Sequence, residues 1–176
     1  MRYRYGMIHG RFQPFHIEHL RYFRIAWEHS ENVVVGITNP DPSTILADEF
    51  SGHRHLPEEN PFTFIERLMM IQGTLREEGY PMETIFVVPF PIHHPERWHH
   101  YIPPGAAMFV VVYSAWERRK VERLREAGVE VVVVETLEKK ITGQQVRSML
   151  ACGGDWESLV PAAVARFLRW NSGSRR

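Results

Sequence analysis

Short apolar runs rich in β-branched residues alternate along this chain with amphipathic stretches, the order expected of parallel strands joined by crossover helices. The first run, Tyr5 to His9, leads through Gly-Arg-Phe-Gln-Pro-Phe into a helical pattern from His16 to about His29. Within it Leu20, Phe23, Ile25 and Trp27 supply an apolar side, while Arg21, Arg24 and Glu28 suit water. Val33 to Thr38 is apolar almost throughout and reads as a strand buried on both faces, ended by Asn39-Pro-Asp-Pro. Further strands are expected at Ile85 to Val88, Met108 to Tyr113 and Val129 to Val134. Thr63 and Glu66 form a capping box that opens a helix to about Glu78, with Phe64, Ile65, Leu68, Ile71 and Leu75 near one face. Other helices are expected over Trp116 to Ala127, Gly143 to Leu150 and Pro161 to Trp170, with Gly79, Gly128 and Gly153-Gly154 as stops.

These elements predict an α/β chain: a single doubly wound (Rossmann-like) five-stranded parallel sheet, helices on both faces and a short C-terminal helical extension. Residues 1–171 form the expected domain and 172–176 a small, polar, disordered tail. The long stretch from Asn39 to Phe62, rich in Pro, His and acidic residues, is expected to be a functional or mobile loop. In such a sheet ligands bind beyond the carboxyl ends of the strands, where the strand order reverses.

Composition narrows the function. The 176 residues carry 21 Lys+Arg and 21 Asp+Glu, a formal charge of zero with the 10 histidines neutral, so the basic excess of a duplex-binding domain is absent. Cys152 is the single cysteine and cannot close an internal disulfide, which excludes a disulfide-stapled secreted scaffold. No apolar run approaches the ~20 residues of a membrane span, and the N-terminus lacks the apolar core of a signal peptide. A soluble cytoplasmic protein is the expectation.

The densest chemistry lies after the first strand. In Gly10-Arg-Phe-Gln-Pro-Phe-His16-Ile-Glu-His19, a glycine allows close backbone approach and a helix N-terminus offers unpaired amides and the positive end of its dipole. His16 and His19 stand three apart and project from one face of the first turn. A phosphate is the predicted ligand. Two other readings remain open for the pair, zinc binding and simple packing at a helix start. The clustered histidines His53 and His55, His93 and His94, and His99 and His100 have no metal-ligand spacing and read as loop residues.

Gly10-Arg-Phe-Gln-Pro-Phe-His-x-x-His19 resembles the signature of the HxGH nucleotidyltransferase superfamily, in particular its archaeal-type nicotinamide-nucleotide adenylyltransferase branch. Asn60-Pro-Phe-Thr63 with Glu66-Arg67, Ile141-Thr-Gly-Gln-Gln-Val-Arg147 and Gly154-Asp-Trp-Glu-Ser-Leu-Val-Pro161 resemble three further motifs of that branch in the same order. The resemblance implies in-line attack of an acceptor phosphate on the α-phosphorus of a nucleoside triphosphate, with release of pyrophosphate and no covalent enzyme intermediate. It implies catalytic roles for His16, His19 and Arg147, and phosphate binding by Gly10, Arg11, Phe12, Thr142 and Gly143. Trp98 stands where the family stacks a tryptophan on nicotinamide, and Asn39 and Asp41, just past the second strand, are further acceptor candidates. Magnesium is expected to be bound mainly through the triphosphate, so no metal-binding residue is assigned.

The implied partners are ATP or another nucleoside triphosphate and a phosphorylated small acceptor, with neither nucleic acid nor membrane; homo-oligomer formation stays open. Three positions depart from the family pattern. Glu18 replaces the motif's glycine, where it crowds an adenine or offers a carboxylate acceptor to the base; Ser114-Ala-Trp-Glu lacks an Asn-rich turn; and Gln144 replaces a second hydroxyl. The first expectation is AMP transfer from ATP to nicotinamide mononucleotide. The alternatives are a cytidylyltransferase acting on a small phosphate or phosphonate monoester, and a non-catalytic nucleotide-binding regulator.

Overall fold

The computed structural model describes residues 2–45, 56–135 and 140–174. Five parallel strands form one sheet: β1 (Tyr3–Gly10), β2 (Ser30–Thr38), β3 (Ile85–Phe90), β4 (Ala107–Val111) and β5 (Glu130–Val134), in the order β3-β2-β1-β4-β5. The helices are α1 (Ile17–Glu28), α2 (Phe64–Glu77), α3 (Ala115–Glu126), α4 (Gly143–Cys152) and α5 (Ala162–Ser174). This is the doubly wound α/β sheet expected, with its switch point between β1 and β4.

Period-two alternation along the strands divides the core. Ile8, Val35 and Phe109 join one cluster with residues of α1, α2, α4 and α5, while Met7, Val34 and Met108 join another with Val121 and Leu124 of α3. Proline is tolerated at position 89 because β3 is an edge strand. The Thr63–Glu66 capping box forms: the Thr63 amide donates to Glu66 Oε2 at 2.7 Å and the Glu66 amide donates to Thr63 Oγ1 at 3.3 Å. Ile65 departs from its expected face and is 57% exposed, since α2 buries instead the line Arg67, Met70, Ile71, Thr74 and Leu75. Helix α5 packs on α2 through an Arg166–Glu77 ion pair and a 2.9 Å bond from Asn171 Nδ2 to Glu66 Oε1. It runs through Ser174, past the expected end at Trp170, and residues 175–176 of the expected tail lie outside the described residues, as do His53 and His55.

The strand register shows how the site opens. β1 and β2 stay paired to Gly10↔Ile37, whereas β1 and β4 pair only at Gly6↔Ala107 and Met7↔Met108. Beyond Met7 the two strands part, and a crevice opens at the switch point. No helix among the described residues is long and apolar enough to cross a membrane.

Candidate active site

The crevice is a cleft of about 370 Å³, a volume within the usual range for small-molecule sites. Two helix N-termini reach it, that of α1 at His16 and that of α4 at Thr142 and Gly143. Both present backbone amides and positive dipole ends, the arrangement that holds phosphate oxygens.

His16 is the N-cap of α1, and its backbone amide donates to His19 Nδ1 at 3.2 Å. An accepting Nδ1 leaves the His19 proton on Nε2, so this neutral ring is a donor at Nε2. The two imidazoles stack, with centroids 3.5 Å apart. Phe12 meets His19 edge-on at 4.9 Å, and Phe15 lies 5.6 Å from the same ring. Phe12 itself sits at φ 54, a left-handed conformation that costs a side-chain-bearing residue about 1–2 kcal/mol. The loop thus spends backbone energy while fixing the histidine rings.

Around the loop after β1 the cations are held in place. Arg147 Nη1 donates to the Gln13 carbonyl at 2.7 Å, and its Nη2 pairs with Glu59. Arg11 also reaches Glu59, at 3.7 Å to Oε2 and 3.2 Å to the backbone carbonyl. One carboxylate therefore spans two arginines separated widely in sequence. Gly143 permits the Arg147 contact, because a Cβ there would stand 2.7 Å from the Gln13 carbonyl oxygen. Thr142 Oγ1 accepts from the Gln145 amide at 3.1 Å, so its hydroxyl proton remains available to donate.

Two residues behind the loop set its shape. The Gln13 side chain makes paired 2.9 Å bonds with the amide and carbonyl of Phe62. Arg67, only 1% exposed, donates to the carbonyls of Thr63, Arg11, Thr38 and Asn39 at 2.7–3.2 Å. It ties the loops after β1 and β2 to the start of α2. Burial, reinforced by the charge of Arg11, pulls its pKa down to about 10.

The cleft brings together His16, His19, Arg147, Gly10, Arg11, Phe12, Thr142, Gly143 and Asn39 of the predicted set. Two acceptor candidates are corrected. Trp98 is 3% exposed, packs on Phe90 at 5.9 Å and donates its indole N–H to the Pro91 carbonyl at 3.1 Å. It completes the core beside α3 and is not among the cleft-lining residues, because the Pro95–His100 turn folds it onto the sheet. Asp41 is exposed and caps the Pro42–Thr44 turn, accepting from the Ser43 amide at 2.9 Å. Among the described residues no group of three His, Cys, Asp or Glu side chains is placed to hold a metal ion.

The residues that sequence reasoning missed are His9, Gln13 and Glu59. His9 carried a usable signal, a polar residue at the carboxyl end of an apolar strand. It is 6% exposed, and Nδ1 lies 3.1 Å from Met108 Sδ across the parting strands. Burial, then the charge of Lys120, holds its pKa well below the ordinary imidazole range. Below about pH 6.5 the unfolded chain takes up a proton at His9 that the folded chain does not, so stability present above that pH falls as the pH drops toward the folded value. The expected slope is up to about 1.4 kcal/mol per pH unit, and a His9→Gln variant should lose it in urea titrations run between pH 7 and 5. An unaltered slope would show that His9 is not the group responsible.

A cytidylyltransferase-like family model matches residues 7–158. Phosphonoformate cytidylyltransferase of Streptomyces viridochromogenes is 45% identical over 165 residues, covering 93% of this chain and 90% of the relative. Nicotinamide-nucleotide adenylyltransferase of Thermococcus kodakarensis is 30% identical over 173 residues, covering 97% of this chain and 85% of the relative. Among solved structures, the bifunctional NMN adenylyltransferase/ADP ribose pyrophosphatase of Francisella tularensis, complexed with AMP and a manganese ion, superposes with a TM-score of 0.70 at 18% identity. That match covers 96% of this chain and 49% of the bifunctional one, and it bears on the fold.

Proposed function

We propose that this chain, which belongs to the cytidylyltransferase-like family and is a nucleotidyltransferase, transfers CMP from CTP to a small phosphonate or phosphate monoester. The observation that carries this reading is the 45% identity to a phosphonoformate cytidylyltransferase along nearly the full length of both chains. It favours the cytidylyl alternative over the first expectation, AMP transfer to nicotinamide mononucleotide. The position of Trp98 in the core agrees, since its ring is not presented to an acceptor's nicotinamide.

In this reading an oxygen of the acceptor's phosphonate attacks the α-phosphorus of CTP. The new P–O bond forms as the bond from the α-phosphorus to the bridging oxygen breaks, and pyrophosphate leaves with that electron pair. The attacking oxygen is already ionised near neutral pH, so the protein's task is alignment and charge stabilisation. His19, through Nε2–H, and its stacked neighbour His16 donate toward the α-phosphoryl oxygens. The Gly10–Phe12 amides, Thr142, Gly143 and Arg147 hold the β- and γ-phosphates, and Arg11 and Asn39 face the acceptor. Glu59 keeps the two arginines in register until phosphate oxygens take its place.

The phosphate side of the cleft consists of amides, a hydroxyl and guanidinium groups, donors suited to oxyanions. Magnesium enters with the nucleotide as part of the substrate complex.

The test is a matrix of the four nucleoside triphosphates with magnesium against phosphonoformate, other small phosphonates, phosphomonoesters and nicotinamide mononucleotide, read by pyrophosphate release. Turnover is expected with CTP and a small phosphonate or phosphate monoester. Preferred turnover of ATP with nicotinamide mononucleotide would overturn the assignment.

A further inference from the structure

Besides Arg11 and Asn39, the cleft is lined by acidic and phenolic residues of a different character. Glu18, on the first turn of α1 beside His19, is 7% exposed. Its Oε1 accepts from Arg21 Nη1 at 2.9 Å, whereas Oε2 is buried and makes no hydrogen bond to the described residues. Tyr113 and Glu117 also line the cleft. Burial, then the charges of Glu18 and Glu117, push up the Tyr113 phenol.

A buried carboxylate oxygen without a donor costs free energy, so one in a cleft wall suits a ligand that brings an N–H or O–H. Glu18 is paired with Arg21 through its other oxygen and Glu117 shares the cleft lining with Lys120, so the acceptor's phosphonate belongs by Arg11 and the open position at Glu18 Oε2 calls for a neutral donor. A neutral heterocycle with an amino edge meets the requirement. Cytosine presents its 4-amino group there, while uracil presents a carbonyl oxygen whose lone pairs face those of the carboxylate.

We infer that Glu18 is the residue that reads the donor's base, its Oε2 accepting from the 4-amino group of cytosine and disfavouring the 4-keto edge of uracil. The inference rests on the cytidylyl reading above.

The experiment measures kcat/KM for CTP and for UTP with the best acceptor, on the wild-type protein and on Glu18→Gln and Glu18→Ala. Each ratio compares two substrates on one preparation, so a fraction of misfolded protein cancels. The wild type is expected to prefer CTP by about 100-fold or more. Glu18→Gln should lower that preference at least about tenfold, because its amide can donate to the keto oxygen, and Glu18→Ala should lower it by loss of CTP turnover. A wild-type preference for CTP that moves less than about threefold in both variants overturns the inference and leaves the cytidylyl reading standing. Wild-type preference for UTP overturns both.

Discussion

Replacing His19 with alanine is expected to lower kcat by about 10²–10³-fold, the cost usually seen when one preorganised donor to a developing oxyanion is removed. The backbone amide of His16 fixes the proton on Nε2, and the rings of His16, Phe12 and Phe15 fix the direction in which it points. A donor held this way before the substrate arrives needs no reorganisation during the reaction. CTP affinity should change little, since several amides, Thr142 and Arg147 share the triphosphate. Stability should fall by only about 1 kcal/mol, because the ring also accepts a bond at the helix start. Steady-state pyrophosphate release, equilibrium CTP binding and a thermal melt separate these effects. A kcat within a few-fold of wild type would remove His19 from the chemistry.

Replacing Arg67 with methionine is expected to cost about 3–5 kcal/mol, in the range for breaking a buried charged network. The guanidinium satisfies four carbonyls from three separate loops, and each acceptor left buried without a partner costs about 1–3 kcal/mol. Water entering the space of the lost side chain recovers part of that. In a domain of this size the Tm should fall by on the order of 10 °C. Lysine should rescue little, because a single ammonium cannot reproduce a planar fork aimed at separate carbonyls. Where the variant remains folded, kcat/KM should drop as well, since Arg11 and Asn39 lose the bonds that place their backbone. A melting temperature within 2–3 °C of wild type would mean that these carbonyls find other partners at little cost.

Much of the site was legible in the chain because the chemistry there is local. His16 and His19 share one helical turn, Thr142 and Gly143 open another, and each pair's placement follows from backbone geometry within a few residues. The sheet was legible for a similar reason: Val33 to Thr38 could be buried on both faces only in a parallel sheet, and the strands and helices alternate in order. The strand ends were less so. β3 continues through Pro89, which a local reading treats as a stop, because an edge strand tolerates the missing amide. Trp98 shows the opposite failure. Its position along the chain, beyond a strand end, says nothing about which way a short turn directs the indole, and the hydrophobic face beside α3 took it.

The amino-acid order alone established the parallel α/β sheet and pointed to a phosphate at the turn after the first strand, which follow from periodicity and short-range spacing. The class of reaction came instead from the resemblance of four ordered motifs to the nucleotidyltransferase superfamily. Tertiary structure decided what joins residues far apart in the chain. It closed Glu59 on both Arg11 and Arg147, ran Arg67 beneath three loops, parted β1 from β4 beside His9 and left one buried oxygen of Glu18 without a hydrogen bond to the described residues. These contacts depend on how the crossover helices stack the strand ends against one another, and no local pattern of side chains encodes that distance.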